Sequence, residues 1–224
     1  MKQIQLIGLD AALLPSTEEF CRDIGLEVCP GKGIRVRASR GDCLSLKRSA
    51  DEVLVTYRAR NEWFRALTFL PDTLEGGKEI CQTGKYRMLC YMADNSRNAV
   101  YNIQTAKKMI RSLAGMGYTS MMLYTEDTYE LPDYPYFGYM RGRFSAQELR
   151  ELDDYADSFG IELIPCIQTL AHLSTALRWP DFAGYRDTGD ILMVGDERTY
   201  RFIEAAVRQC AACFRSRQIN IGMD

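Results

Sequence analysis

The run Gln-Ile-Asn-Ile-Gly-Met-Asp at positions 218–224 reads as a short strand that delivers the carboxylate of Asp224 to its C-terminal end. Three earlier apolar runs, at 88–94, 120–127 and 161–168, likewise end in polar or charged groups. The first leads into Ala93-Asp94-Asn95-Ser96-Arg97-Asn98, and the second ends at Glu126-Asp127. The third opens a long connection that holds His172, the single histidine of the chain. A guanidinium, a pair of acids, an imidazole and a last acid are groups that bind polar ligands and move protons. In parallel α/β sheets and barrels such groups gather at the C-terminal strand ends.

What must position them is a series of βα units. From Tyr86 onward the sequence alternates strand-like and helical periods. The run 88–92 shows little alternation, as in a strand covered on both faces. Ile103, Ala106, Ile110 and Leu113 then form one helical stripe, closed by Gly117. Ser145-Ala-Gln-Glu148 is a capping box, and its helix carries Leu149, Leu152, Tyr155, Ala156 and Phe159. Pro165 inside the third run predicts a strand end or a local irregularity. Asp196 caps a third helix with Tyr200, Ile203, Val207, Cys210 and Phe214 as its stripe, and a fourth strand follows at 219–223. Such alternation with right-handed crossovers makes a parallel sheet. An open doubly wound sheet and a (β/α) barrel both satisfy it. The barrel is favoured because no glycine-rich phosphate turn follows the first strand and the long loops all follow strands. Four units are half of the usual eight, so residues 85–224 are expected to form the first half of a TIM barrel. Its open strand edges would invite self-association.

Residues 1–84 read as a separate small α/β sandwich domain. Strands are expected at 3–9, 34–38, 44–46 and 53–57, the last three as an antiparallel meander, and a short one at 79–82. One helix starts at Pro15-Ser16-Thr17 and stops by Gly25. Trp63, Phe64, Leu67 and Leu70 fall at helical spacing, which places Trp63 in a core rather than at a ligand.

Composition narrows the function classes. A net charge of −2 with no basic stripe argues against nucleic acid. No apolar run approaches the roughly 20 residues of a membrane span, and the N-terminus is too short and polar for a signal peptide. Eight cysteines lie at no framework spacing, and Cys210-x-x-Cys213 sits within a helical stripe without a second pair. With a single histidine, a zinc site is disfavoured, and the cysteines read as small apolar fillers in a reducing cytoplasm.

The run 86–98, Tyr124-Thr-Glu-Asp127, Ile161-Glu-Leu-Ile-Pro165, Thr169-Leu-Ala-His172 and the final Ile-Gly-Met-Asp, in that order and each at a strand end, resemble glycoside hydrolase family 20. These are the β-N-acetylhexosaminidases, and residues 1–84 are similar in layout to the small α/β domain that precedes the family's barrel. The resemblance implies substrate-assisted retaining hydrolysis of terminal N-acetylhexosamine, in which the acetamido oxygen of the sugar is the nucleophile. It implies that Arg97 hydrogen-bonds sugar hydroxyls and that Glu126, Asp127 and His172 belong to the substrate site. It implies that Asp224 orients the acetamido group and stabilises the oxazolinium. No cofactor and no metal are implied, and the partners are N-acetylhexosamine-terminated glycans.

In the family a glutamate, the general acid, directly follows that aspartate. The expectation is therefore a fragment of an exo-acting enzyme, inactive alone. The alternative is a non-catalytic carbohydrate-binding or interaction module built on a half barrel. Each residue also has a plainer reading: Arg97 as a surface ion pair, Glu126 and Asp127 as a turn cap, His172 as a structural histidine. The rings at Tyr129, Tyr134, Tyr136, Phe137, Tyr139 and Trp179 read equally as loop packing or as sugar platforms.

Overall fold

A computed structural model describes residues 1–223 as two compact units. The first comprises residues 1–89 with 108–119 and 156–161, and the second 90–107, 120–155 and 162 onward.

The first unit contains β1 (Lys2–Ile7), α1 (Leu14–Asp23), β2 (Leu26–Val28), β3 (Ile34–Arg40), β4 (Leu44–Arg48), β5 (Glu52–Tyr57), α2 (Arg60–Leu67), α3 (Leu70–Leu74) and β6 (Ile80–Gln82). Its sheet has the order β2-β1-β3-β5-β4-β6. The expected antiparallel meander is corrected. β3 and β4 are not neighbours, because β5 lies between them, parallel to β3 and antiparallel to β4. The reason is side-chain pairing: the parallel register sets Val36 beside Val53 and Ala38 beside Val55, all four buried on one face, while β5 turns back antiparallel on β4. On the other face Arg37 and Glu52 pair across β3 and β5 at 2.8 Å. β2 spans three residues, too few for periodicity to reveal.

Trp63 is fully buried, as its spacing predicts. Its ring lies 5.3 Å from that of Tyr57, and its indole N–H donates to Thr17 Oγ1 at 2.9 Å. Phe64 stands between Phe20 and Phe159 at 5.5 and 4.7 Å.

The second unit is built on β7 (Cys90–Asp94), β8 (Ser120–Thr125) and β9 (Glu162–Ile167), all parallel. In sequence α4 (Ile103–Met116) connects β7 to β8, and α5 (Ala146–Ser158) connects β8 to β9. The short α6 (Ser174–Leu177) and the long α7 (Glu197–Cys213) follow. Both expected caps form. Ser145 and Glu148 exchange side-chain and backbone hydrogen bonds, and Asp196 accepts from the Arg198 N–H at 2.8 Å.

Two expectations change here. Pro165 lies inside β9 rather than at its end. The C=O of Pro165 accepts from Asn220 and the N–H of Ile167 donates to Asn220, so this side of the strand faces outward from β8. The N–H that proline lacks would have pointed the same way, and the ladder with β8 loses no bond. The expected fourth strand shrinks to one parallel bridge, Cys166 to Asn220. The Asn220 side chain accepts from the Gly222 N–H at 3.0 Å, and Gly222 has φ +57°, so the chain turns before a ladder can extend.

Replacing Thr17 by Val leaves the buried indole N–H of Trp63 without an acceptor. The expected cost is about 1–2 kcal/mol, read as a lower midpoint in urea denaturation with an unchanged slope.

Candidate functional site

The parallel register sets the tips of β7, β8 and β9 side by side: Asp94 pairs with Tyr124, and Thr125 with Ile167. The second unit therefore presents one polar edge, made by 94–97, 124–127 and 168.

Asp94 ends β7 and organises the turn after it. One carboxylate oxygen accepts the N–H groups of Ser96 and Arg97, and the other meets the Arg97 guanidinium at 2.9 Å. Burial pushes the Asp94 carboxyl up, but the Ser96 N–H and the Arg97 bonds outweigh it and hold the group below the usual range. Arg97 also donates to the Tyr124 hydroxyl at 3.1 Å, lies 3.6 Å from Glu126 Oε1, and stacks 4.6 Å from the Tyr124 ring centre. About half of the Arg97 side chain stays exposed, whereas that of Glu126 is 11% exposed.

Tyr124 joins the three tips. Its hydroxyl donates to Glu126 Oε1 at 3.1 Å and accepts from Gln168 Nε2 at 3.1 Å as well as from Arg97. Burial raises its pKa, so the phenol keeps the proton it donates. Gln168 is buried, and its Oε1 has no hydrogen-bond partner. Gly222 packs on this side chain so closely that a Cβ there would stand 2.1 Å from Gln168 Oε1.

Asp127 lies behind the edge. Its side chain is fully buried. Oδ1 accepts from Arg141 Nε at 3.1 Å, Arg141 also donates to the Ser96 carbonyl, and Oδ2 is buried without a partner. Burial raises the Asp127 carboxyl pKa, and the Arg141 guanidinium offsets this only in part. The loop closes on Asp127 through Gly138, at φ +68°, whose added Cβ would meet the Asp127 carbonyl at 2.1 Å. Only glycine fits there.

Hydrogen bonds thus link Arg97 to Glu126 through the Tyr124 hydroxyl, and Asp127 to the same turn through Arg141 and Ser96. His172 is carried by the connection that leaves this edge after Gln168, half-buried and at φ +55°. Asp224 lies outside the described residues, but the segment before it is anchored: Thr169 Oγ1 donates to the Ile221 carbonyl at 2.8 Å. The sequence reading missed Asp94, Tyr124, Gln168 and Arg141 as site residues. For Tyr124 the signal was its spacing of two from Glu126, which puts both on one strand face.

The loop aromatics divide. Tyr129 and Phe137 are buried, and Tyr134 packs against Phe182, Tyr185 and Phe202. Tyr136, Tyr139 and Trp179 form a partly exposed cluster with ring centres 5.3–5.9 Å apart. Among the described residues no group of three His, Cys, Asp or Glu side chains is arranged to hold a metal ion.

No family model and no curated protein matches the sequence. Solved structures do match. An exo-β-N-acetylglucosaminidase of glycoside hydrolase family 20 from Vibrio harveyi, in complex with N-acetylglucosamine, aligns with TM-score 0.78 at 16% identity, over 100% of this chain and 43% of that one. The family 20 β-N-acetylhexosaminidase of Streptomyces coelicolor A3(2) aligns with TM-score 0.78 at 19% identity, over 98% and 55%. The N-acetyl-β-hexosaminidase of Streptomyces plicatus, in complex with Thio-NAglucal, aligns with TM-score 0.78 at 20% identity, over 98% and 54%. The fold is that of glycoside hydrolase family 20. At these identities the likeness is one of fold, and the chain spans about half the length of the structures it matches.

Arg141→Met leaves Asp127 as a buried charge without its hydrogen-bonded guanidinium. A fully buried pair broken this way costs about 3–5 kcal/mol, and the partial exposure of Arg141 brings the expected loss at pH 7 to about 2–3 kcal/mol. An acid whose pKa is raised by folding makes folding more favourable as pH falls through the folded value. The loss therefore shrinks as pH is lowered from 7 toward about 4. Urea denaturation across that range checks it, and a loss independent of pH would show that Asp127 is not the group exposed.

Proposed function

We propose that this chain is part of a β-N-acetylhexosaminidase of glycoside hydrolase family 20, supplying the half of the site that grips and orients a terminal N-acetylhexosamine. The observation that carries this reading is the Arg97–Tyr124–Glu126 network at the strand tips of a family 20 fold.

The geometry around Arg97 supports its role, and the family resemblance supplies the others. Two acids and a phenol fix the guanidinium of Arg97, so it meets a ligand already oriented. Its planar fork matches vicinal hydroxyls, and little side-chain freedom remains to be lost on binding. The acetamido oxygen of the sugar serves as the nucleophile, so the protein need supply only an anion beside the acetamido N–H and a proton for the leaving oxygen. Asp224 is the proposed anion. His172 is proposed to tune the proton donor by charge. No residue of this chain is assigned as that donor, and the chain alone is expected to bind without turnover. The second reading is a sugar-binding module without catalysis. A reducing cytoplasm is part of the proposal, in keeping with eight cysteines that no disulfide joins.

N-acetylglucosamine is expected to shift amide resonances of residues 94–97 and 124–126 in a titration followed by NMR. Arg97→Ala should weaken that binding by about tenfold or more, and Arg97→Lys should recover little of it because the fork is lost. Unchanged affinity in a folded Arg97→Ala protein would remove the reading. Hydrolysis of an aryl N-acetylglucosaminide by the pure chain would instead place a proton donor within these residues.

β7 is an edge of its sheet, with Tyr91 and Met92 partly exposed on it. An open apolar edge pairs with other chains, so light scattering should show mass rising with concentration. A monodisperse monomer at all concentrations would refute the self-association.

A further inference from the structure

Cys43 and Cys81 stand with their Sγ atoms 3.9 Å apart. Cys43 lies in the bend between β3 and β4, and Cys81 is the middle residue of β6, the outer strand of its sheet. β4 and β6 are antiparallel, with Ser45 opposite Cys81. Cys43, two residues before Ser45, therefore shares its sheet face and is the diagonal neighbour of Cys81. Cys81 is exposed and Cys43 is half-buried, so both can be reached from solvent. Cys21 and Cys210, by contrast, are buried, and burial pushes their thiols up to about 12. The sequence hid this pair, because the two residues lie 38 positions apart in no recognisable spacing.

We propose that Cys43 and Cys81 are a redox modification site that closes reversibly into a disulfide, with a small-molecule disulfide such as oxidised glutathione as the oxidant. The Cys81 thiolate attacks one sulfur of the oxidant, forming a mixed disulfide and releasing one thiolate. The Cys43 thiolate then attacks Sγ of Cys81 and releases the second. Two protein thiols lose two electrons in total, the oxidant gains them, and the two protons pass to the released thiols. The sulfurs must close from 3.9 Å to about 2.05 Å. Cys43 lies outside the strand ladder, so rotation of its side chain and a small shift of the bend can supply this. The link would act on a short edge strand of the sheet. β6 spans three residues and pairs on one side alone, through Leu44–Gln82, Ser45–Cys81 and Leu46–Ile80. Joining Cys81 to the bend would hold β6 in place when its ladder bonds open.

The test is to incubate the full chain with oxidised glutathione, quench with acid, and map peptides without reduction. The expected product is a peptide pair linked between Cys43 and Cys81, reversed by dithiothreitol. Cys43→Ser should instead accumulate a glutathione adduct on Cys81. Hydrogen exchange at residues 80–82 should slow about tenfold in the oxidised chain. The proposal is overturned if the intact chain holds the Cys81 adduct as stably as Cys43→Ser does, or if the linked peptides join other cysteines. Equal exchange at 80–82 in both redox forms would overturn the pinning of β6. Circular dichroism on Cys43→Ser and on Cys43→Ala establishes that the variants fold, and the mapping of the unsubstituted chain decides the linkage without either.

Discussion

One hydroxyl limits what this edge can be. The Tyr124 oxygen has one proton to give and two lone pairs to offer, and the structure uses all three: Glu126 takes the proton, while Arg97 and Gln168 take the lone pairs. Those partners arrive from the turn after β7, from the residue that follows β8 and from the residue that follows β9. A saturated hydroxyl can bind all three only if the tips stand level, which the in-register parallel pairing provides. The polar edge is thus a consequence of strand register. A slip by one residue would turn Tyr124 and Glu126 to the opposite face and dissolve the network.

The acids at this edge differ in what surrounds them. Asp94 faces two backbone N–H groups and a guanidinium, which favour its charged form. Asp127 is buried with one oxygen unpartnered, and that burial disfavours its charged form more than the Arg141 guanidinium favours it. Neighbouring carboxylates with opposite tendencies are a recurring arrangement at sites where charge must be placed deliberately. Here the outward-facing acid fixes Arg97, and the buried one fixes the loop that backs it. Gly138 makes the second possible, since any side chain there would displace the loop from the Asp127 carbonyl.

Much of this was legible from residue periods, and the failures share a cause. The capping box at Ser145, the cap at Asp196, the core position of Trp63 and the three parallel runs are local patterns, and local patterns survive in a single sequence. Strand order does not: β5 entered between β3 and β4 because its buried residues pair with those of β3, a property of the assembled sheet. Pro165 misled for the same reason, since its harm depends on which side of the strand needs an N–H. Tyr124 was quoted within a motif yet passed over as a site residue, because its role depends on Gln168, 44 residues away. The approach of Cys43 to Cys81 likewise exists only once β4 and β6 are paired.

The end of β9 shows how a short segment can be held firmly without a strand ladder. Residues 220–222 make one bridge to Cys166, a hydrogen bond from Thr169 to Ile221, and a steric contact at Gly222. The bridge fixes register, because Asn220 uses both its N–H and its C=O on Pro165 and Ile167. The glycine fixes direction. At φ +57° it takes a conformation that side-chain-bearing residues rarely adopt, and a Cβ would collide with the Gln168 amide. Gln168 is at the same time bonded to the Tyr124 hydroxyl. The backbone of residue 222 is therefore mechanically connected to the group that orients Arg97. Any residue larger than glycine would either move Gln168 off Tyr124 or lift the segment from β9. The chain thus couples the placement of its last residues to the integrity of the edge through a single missing methyl group.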